Sequence, residues 1–369
     1  MKDKKRILII AWSFYPAIGG MEEQCFLLAQ SFIKRGYSVD ILTEKVFPDS
    51  PRMEHYKGMK IYRTSYQKNR GVLNYLRLVF DFSLFSLKHS FEYKFAILRG
   101  ALTFEPLLIG LLKFLKIFRA KTFVTADTGG ENDEIILLKR SKLYKVLVFF
   151  SSQHNYLNSL CDDNYNHYQE LGFDAKKLTR IPNGIDISGY DECDFPESIN
   201  TFLFIGRLYP YKGTRELLLA FTAILEKYPT KKLLIAGDGP DFNFINRYIR
   251  DNNFQNGIKL VGKVKREDRD RFYKRGDCLI LPSYSEGFSL VVYEAAVMKR
   301  IIIATDVANF KKDFGRQIIY CKMKNAIDLA NKLNWVITHY DRSKLDYRPI
   351  IKQYDINTIS QEILNLMGA

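Results

Sequence analysis

Apolar residues along the chain switch between two periods, and that switching predicts its elements. A continuous apolar run from Lys5 to Ala11 has the length and composition of a buried strand. A loop from Ser13 to Gly20 follows, and then Cys25, Leu28, Ala29 and Phe32 recur at helical spacing until Gly36. Tyr37 to Thr43 reads as the next strand, so the opening is a βαβ unit of a parallel, doubly wound sheet. Ile61–Thr64, Phe95–Arg99, Lys121–Ala126 and Lys145–Ser151 are expected as further strands, and Pro106–Phe118 as a helix. The turn-rich stretch from Pro182-Asn-Gly184 through Pro196 breaks the pattern. The pattern then restarts: strands at Thr201–Gly206, Lys232–Gly237, Ile258–Val261, Asp277–Pro282 and Ile301–Thr305, helices at Thr214–Tyr228, Phe242–Asn252 and Leu290–Met298. The expectation is an α/β chain with a first domain at 1–182, a linker at 183–199 and a second domain at 200–352. An amphipathic helix within 353–369 would pack back on the first domain.

Composition fits that picture. Of 369 residues, 47% are hydrophobic and 26% charged, as in a folded globular protein, and the length suits two cores. No run approaches the roughly 18 uncharged apolar residues of a membrane span. The run after the basic N-terminal residues is too short for a signal sequence and reads as the first strand. The five cysteines are scattered and without CxxC spacing, which fits a reducing cytoplasm rather than a disulfide framework or zinc site.

Charge adds one feature. The net charge is +15, and residues 52–121 hold 14 Lys or Arg against 4 Asp or Glu. Such a stretch, rich in aromatics, suits an anionic membrane surface, a phosphorylated acceptor or nucleic acid; the alternative is a set of solvated lysines. No RRM, KH or zinc-finger pattern accompanies it, which argues against nucleic acid.

Candidate chemistry is concentrated in the second half. Gly206-Arg-Leu-Tyr-Pro-Tyr-Lys-Gly213 lies between a strand and a helix, with Arg207 and Lys212 five residues apart. Two cations on a loop at a strand's C-terminal end suit a pyrophosphate, Arg207 by a forked contact and Lys212 as a compact charge. The alternative, for the segment taken alone, is a basic surface loop. Ser285-Glu-Gly-Phe-Ser-Leu-Val-Val-Tyr-Glu-Ala-Ala296 runs from a loop into a helix. The N–H groups of Phe288, Ser289 and Leu290 would stand at that helix's start, a ready anion site. Glu294 could accept from ribose hydroxyls and Glu286 could face what lies beyond the phosphates; singly, either is an ordinary surface glutamate. Asp268-Arg-Asp270 forms a DxD, but within a charged helical stretch, which argues against a metal role.

The order Arg207, Lys212, Gly237-Asp-Gly-Pro240, Gly262, Asp277–Ser283, Glu286, Glu294, preceded by Ile181-Pro-Asn-Gly-Ile-Asp186, resembles the retaining GT-B glycosyltransferases of family four, also called glycosyl transferases group 1. The resemblance runs from Arg6 to about Asp306. It implies two Rossmann-like doubly wound domains facing an interdomain cleft. It also implies a nucleotide-sugar donor, UDP-linked more often than GDP-linked, and a glycan or lipid-linked acceptor in cell-surface polysaccharide synthesis. Neither a metal nor any other cofactor is implied. By the same resemblance Arg207 and Lys212 bind the diphosphate, Val264 meets the base, Glu294 the ribose and Glu286 the donor sugar. Phe288, Ser289 and Leu290 form the sugar and phosphate loop, and Gly19 and Gly20 admit backbone to donor phosphate and acceptor.

Three departures stand out. Where the family usually has a histidine after the Lys121–Ala126 strand, the chain has Thr125-Ala-Asp-Thr-Gly-Gly-Glu131. Asp127 is the nearest candidate to orient donor or acceptor, or else a turn residue. His154 and His167 fall downstream, on helix or loop surface by their pattern. Lys299-Arg-Ile301 replaces the usual Gly-x-Pro, and Ala308-Asn-Phe-Lys-Lys312 the usual Gly-Gly before a Glu. An epimerase of the same two-domain plan and a non-catalytic sugar-nucleotide binder are the rival readings. A dinucleotide oxidoreductase lacks its GxGxxG after the first strand. The Pro106 helix, with Lys113, Lys116 and Arg119, either packs on the sheet or meets anionic lipid, aided by Val72–Phe91, which would make the protein peripheral at the inner face of the cell membrane.

Overall fold

The computed structural model describes residues 6–17, 19–65, 72–89, 91–101, 104–127, 135, 142–191 and 193–368. They fall into two compact units, Met1–Gly184 with Ile356–Ala369, and Ile185–Asp355.

In the first unit the elements run β1 (Arg6–Ala11), α1 (Gly20–Lys34), β2 (Ser38–Thr43), β3 (Met53–Tyr56), β4 (Met59–Arg63), α2 (Val72–His89), β5 (Phe95–Arg99), α3 (Phe104–Phe114), β6 (Lys121–Thr125), α4 (Tyr144–Ser151), β7 (Tyr156–Asn158), α5 (Asp162–Glu170) and β8 (Leu178–Thr179). The strands form one sheet in the order β3-β4-β2-β1-β5-β6-β7-β8. All pairs are parallel except the edge pair β3–β4, so the expected parallel sheet carries an antiparallel rim. Strand β1 is buried on both faces, as a central parallel strand must be. Ile7 and Ile9 pack with Cys25, Leu28 and Phe32 of α1, and Leu8 and Ile10 with Leu78, Phe82 and Ile109 on the opposite face.

The second unit runs β9 (Thr201–Ile205), α6 (Thr214–Lys227), β10 (Lys232–Ala236), α7 (Phe242–Asp251), β11 (Ile258–Gly262), α8 (Arg269–Lys274), β12 (Cys278–Leu281), α9 (Leu290–Val297), β13 (Ile301–Thr305), α10 (Phe310–Phe314), β14 (Ile319–Cys321), α11 (Ala326–His339) and α12 (Arg348–Gln353). Its sheet, β11-β10-β9-β12-β13-β14, is parallel throughout. The chain then returns to the first unit as α13 (Ile356–Met367), whose Ile359, Ile363 and Leu364 join the α1 side of that core. Ser360 Oγ lies 2.7 Å from Ser31 Oγ, and Arg35 donates to the Asn357 carbonyl at 2.6 Å. Of the stretch 183–199 expected as a linker, residues 183 and 184 cluster with the first unit and the rest with the second.

The run Lys145–Ser151 is helix α4, not a strand; β7 follows it instead. A short apolar run does not reveal its period, and here Val146 and Phe149 remain about half exposed rather than buried on both faces. None of the five cysteines forms a disulfide. In each sheet the strand order reverses beside one strand, between β1 and β5 and between β9 and β12. Ligands of doubly wound sheets sit at the C-terminal strand ends there.

Candidate functional site

The second unit builds its site from the loops after β9, β10 and β12. Beyond β9 the Gly206 N–H donates to the Ala236 carbonyl at 3.0 Å and the Leu208 N–H to Asp238 at 2.9 Å. Gly237, at φ +147°, permits that approach, because a Cβ there would overlap the Gly206 carbonyl oxygen. The loop then makes one tight turn, Pro210–Lys212, closed by Gly213 at φ +70°. A Cβ on Gly213 would overlap the Pro282 carbonyl oxygen, so only glycine lets this loop lie against the one after β12. The Tyr284 N–H, donating to the Tyr211 carbonyl at 2.7 Å, fastens the two together.

That seam carries Lys212 to Glu286. Lys212 Nζ donates to Glu286 Oε1 at 2.6 Å, with both side chains largely buried at 13% and 8% exposure. Arg207 is exposed, its guanidinium 5.7 Å from the Tyr209 ring. Helix α9 starts at Leu290 with Ser289 as its cap residue, but the Ser289 side chain makes no cap hydrogen bond and the first turn holds no acid. The positive helix end is thus left to be met by something other than its own side chains. Phe288 stacks on Tyr293 with centroids 4.3 Å apart, and Val264 packs half-buried against the same core.

Glu294 goes elsewhere. One turn into α9 and buried, its carboxylate takes Arg269 Nη1 at 2.6 Å on Oε1 and the Tyr273 hydroxyl at 2.9 Å on Oε2. Burial and this carboxylate push the Tyr273 phenol well above its ordinary pKa, so it stays a donor. Arg269 is the middle residue of Asp268-Arg-Asp270. The flanking acids pair outward, Asp270 with Lys274 at 2.6 Å and Asp268 with Arg271 at 3.7 Å. In the sequence the two acids stand out as a DxD and the arginine between them does not. The signal was the inward set Arg269, Phe272 and Tyr273 on one short helix.

The first unit gathers a second group at its own strand ends. Asp127, just past β6, pairs with Arg99, the last residue of β5, which also donates to Asn183 Oδ1 at 3.1 Å. Arg99 is 3% exposed, so its charge depends on these partners. Burial pushes the Asp127 carboxyl up and nearby Glu22 adds to this, against the pull of Arg99. Nothing in the sequence singled out Arg99, since it ends an otherwise apolar strand. Gly19 precedes α1 in extended backbone, and Gly20 is exposed with open space where a side chain would stand. Glu22, in that helix's first turn, accepts from the Ser13 hydroxyl. Gly129 and Gly130 lie outside the described residues.

His154, expected at the surface, is fully buried, with Nε2 2.9 Å from the Pro106 carbonyl. The helix α3 packs over it, a tertiary contact that no local pattern reveals. Burial lowers its pKa to about 3, so it is neutral and Nε2–H is the donor. Between about pH 6.5, where the unfolded imidazole charges, and about 3 only the unfolded chain takes this proton. Stability should therefore fall with pH across that window and should fall less in His154→Gln, as urea midpoints measured against pH will show. His167 stands on α5 as expected.

Comparison with known proteins bears on the whole arrangement. Residues 192–352 match the family described as Glycosyl transferases group 1. The chain is 23% identical over 383 residues to the phosphatidylinositol N-acetylglucosaminyltransferase GPI3 subunit of Saccharomyces cerevisiae, covering 96% of this chain and 80% of that one. Its fold is that of a sucrose-phosphate synthase from Thermosynechococcus elongatus, at TM-score 0.77 and 18% identity over 98% of both chains. Anabaena HepE in complex with UDP and glucose matches at TM-score 0.76 and 18% identity, over 98% of this chain and 99% of that one. The expected GT-B fold is therefore present, and the family match falls on the second unit.

Proposed function

We propose that this chain transfers a sugar, with retention of anomeric configuration and without a metal, from a nucleotide-diphosphate sugar to a hydroxyl of a lipid-linked or glycan acceptor. The observation that carries the reading is the Lys212–Glu286 pair, held by two glycine-dependent loop contacts beside the uncapped start of α9. A lysine has three N–H donors, and Glu286 takes one. The others can meet the donor diphosphate together with Arg207, while Glu286 turns its second oxygen to the sugar hydroxyls. As the anomeric C–O bond to phosphate breaks, charge grows on the leaving oxygen, and fixed cations and helix-end N–H groups stabilise it without reorganising. The acceptor oxygen bonds the anomeric carbon on the same face, and its proton passes to the departing phosphate. In the first unit Asp127, set by Arg99, is the group suited to orient a hydroxyl, and Gly20 leaves open space at the start of α1.

UDP is the favoured nucleotide, and the GPI3 relative's name makes N-acetylglucosamine the sugar to test first and an inositol lipid the acceptor class. Assembly of a cell-surface glycan on the cytoplasmic face of a membrane fits that acceptor, with the protein peripheral there; among the described residues no helix is long and apolar enough to cross a membrane.

The test is a panel of nucleotide sugars in EDTA, followed by thermal stabilisation and nucleotide release. One donor should raise the melting temperature and be slowly hydrolysed. A stabilised but never hydrolysed donor, with acceptors present, would leave only the non-catalytic binder, and binding abolished by EDTA would remove the metal-free mechanism.

A further inference from the structure

Helix α2 is apolar on two sides. Leu78 and Phe82 are buried in the core beneath it, yet Leu76, Phe80, Leu84 and Leu87 are 52–64% exposed. Their spacing of four, four and three residues sets them in a single outward stripe. Phe91, just beyond the helix, is 74% exposed, with the Arg119 guanidinium 4.7 Å from its ring. Helix α2 packs beside α3, and α3 beside α4. Where α3 ends, Phe114 and Leu115 are exposed, and α4 adds Val146 and Phe149, with the Phe114 and Phe149 rings 5.3 Å apart. Exposed apolar residues are ordinary singly; a run of them over three adjoining helices marks an interaction surface.

Among the described residues, the free charges around this face are cationic. Arg77 and Lys88 flank the α2 stripe, Lys116 and Arg119 follow α3, and Lys142 and Lys145 stand at the start of α4, all exposed. The nearby acids are engaged or covered. Asp81 accepts the Ser65 N–H at 2.7 Å, Glu92 binds Arg6 and His89, and Glu105 is buried. Lys113, expected in the basic set, turns inward to the Ala120 carbonyl and Asn155, each at 3.0 Å. Helix α3 itself is largely buried and packs on the sheet, which leaves α2 as the amphipathic surface.

We propose that the α2 stripe, with the exposed ends of α3 and α4, docks on an anionic lipid bilayer. The leucines and phenylalanines would enter the acyl boundary while the flanking arginines and lysines reach lipid phosphates. Cations rimming an apolar stripe complement an anionic interface on every side, which is the charge arrangement that selects lipid over a second copy of this equally basic chain. The inference rests on the peripheral-membrane part of the proposed function and is independent of its donor chemistry.

The full chain should co-sediment with vesicles of equal parts phosphatidylcholine and phosphatidylglycerol, and roughly tenfold more weakly with phosphatidylcholine alone. Phe80→Ser with Leu84→Ser should weaken binding to the mixed vesicles at least about tenfold, from the apolar area withdrawn. Arg77→Glu with Lys88→Glu should do so through charge. Both double variants should keep the wild-type melting temperature within a few degrees, which separates lost docking from lost folding. Wild type that stays in the supernatant, or stripe variants that bind undiminished, would overturn the proposal. So would a wild-type dimer that the stripe variants convert to monomer, since the face would then bind a second copy. Vesicle binding with no response to any nucleotide sugar would leave this inference standing and remove the proposed donor chemistry.

Discussion

Lys212→Ala should lower donor turnover, read as nucleotide release, by about 10²–10³-fold, the usual loss when one preorganised stabiliser of leaving-group charge is removed. Two losses combine at this position. The cation that meets the departing phosphate disappears, and Glu286, only 8% exposed, keeps its charge with no partner at Oε1. Leaving a buried carboxylate unpaired is costly, so the variant should also melt earlier. Glu286→Gln separates the two effects. It removes the acid while leaving Lys212 its charge and an oxygen to donate to, so donor binding through the diphosphate should persist while turnover falls. Lys212→Arg should recover part of the rate, because the charge returns but in a forked, bulkier head. Undiminished nucleotide release in Lys212→Ala, at saturating donor, would remove the Lys212–Glu286 pair from the reaction.

Lys212 and Glu286 were each legible in the sequence from their place in an ordered set of loop motifs, but their pairing was not. Gly213 and Gly237 each meet a carbonyl oxygen that any Cβ would block, and those approaches, which bring the loops together, are visible only in the fold. The doubly wound sheets were legible directly: β1, β9 and β12 are buried on both faces and read as unbroken apolar runs. Helix α4 was misread because an apolar run as short as Lys145–Ser151 has too few turns to reveal its period. Arg99, Arg269 and Tyr273 escaped for another cause. Arg99 acts through Asp127 and Asn183, both distant in sequence, and a lone arginine ending a strand has no local signature. Arg269 and Tyr273 share an inward face, but nothing local names Glu294 as what they meet. His154 likewise looked like any loop histidine until α3 was placed over it.

The largest stability effect should come from Arg269, and its pattern of rescue decides what Glu294 does. Arg269→Ala leaves Glu294, 5% exposed, as a buried charge with the neutral Tyr273 hydroxyl as its remaining side-chain partner among the described residues. Breaking such a pair from one side costs about 3–5 kcal/mol. For a unit of this size that is roughly 6–20 °C in melting temperature, readable by calorimetry. Arg269→Met with Glu294→Leu removes both charges, keeps the volume, and should restore most of the loss, because well-packed apolar replacements of a buried pair are commonly neutral or better. Function then parts from stability. Arg269 and Tyr273 each use one lone pair of the Glu294 carboxylate, and each oxygen has another to offer. If those accept the ribose hydroxyls, the restored double variant should still bind the nucleotide at least about tenfold more weakly, the worth of one or two hydrogen bonds to a charged group. Wild-type affinity in a fully stable double variant would make the Arg269–Glu294–Tyr273 cluster a strut under α9 and would move ribose recognition to another part of the loop.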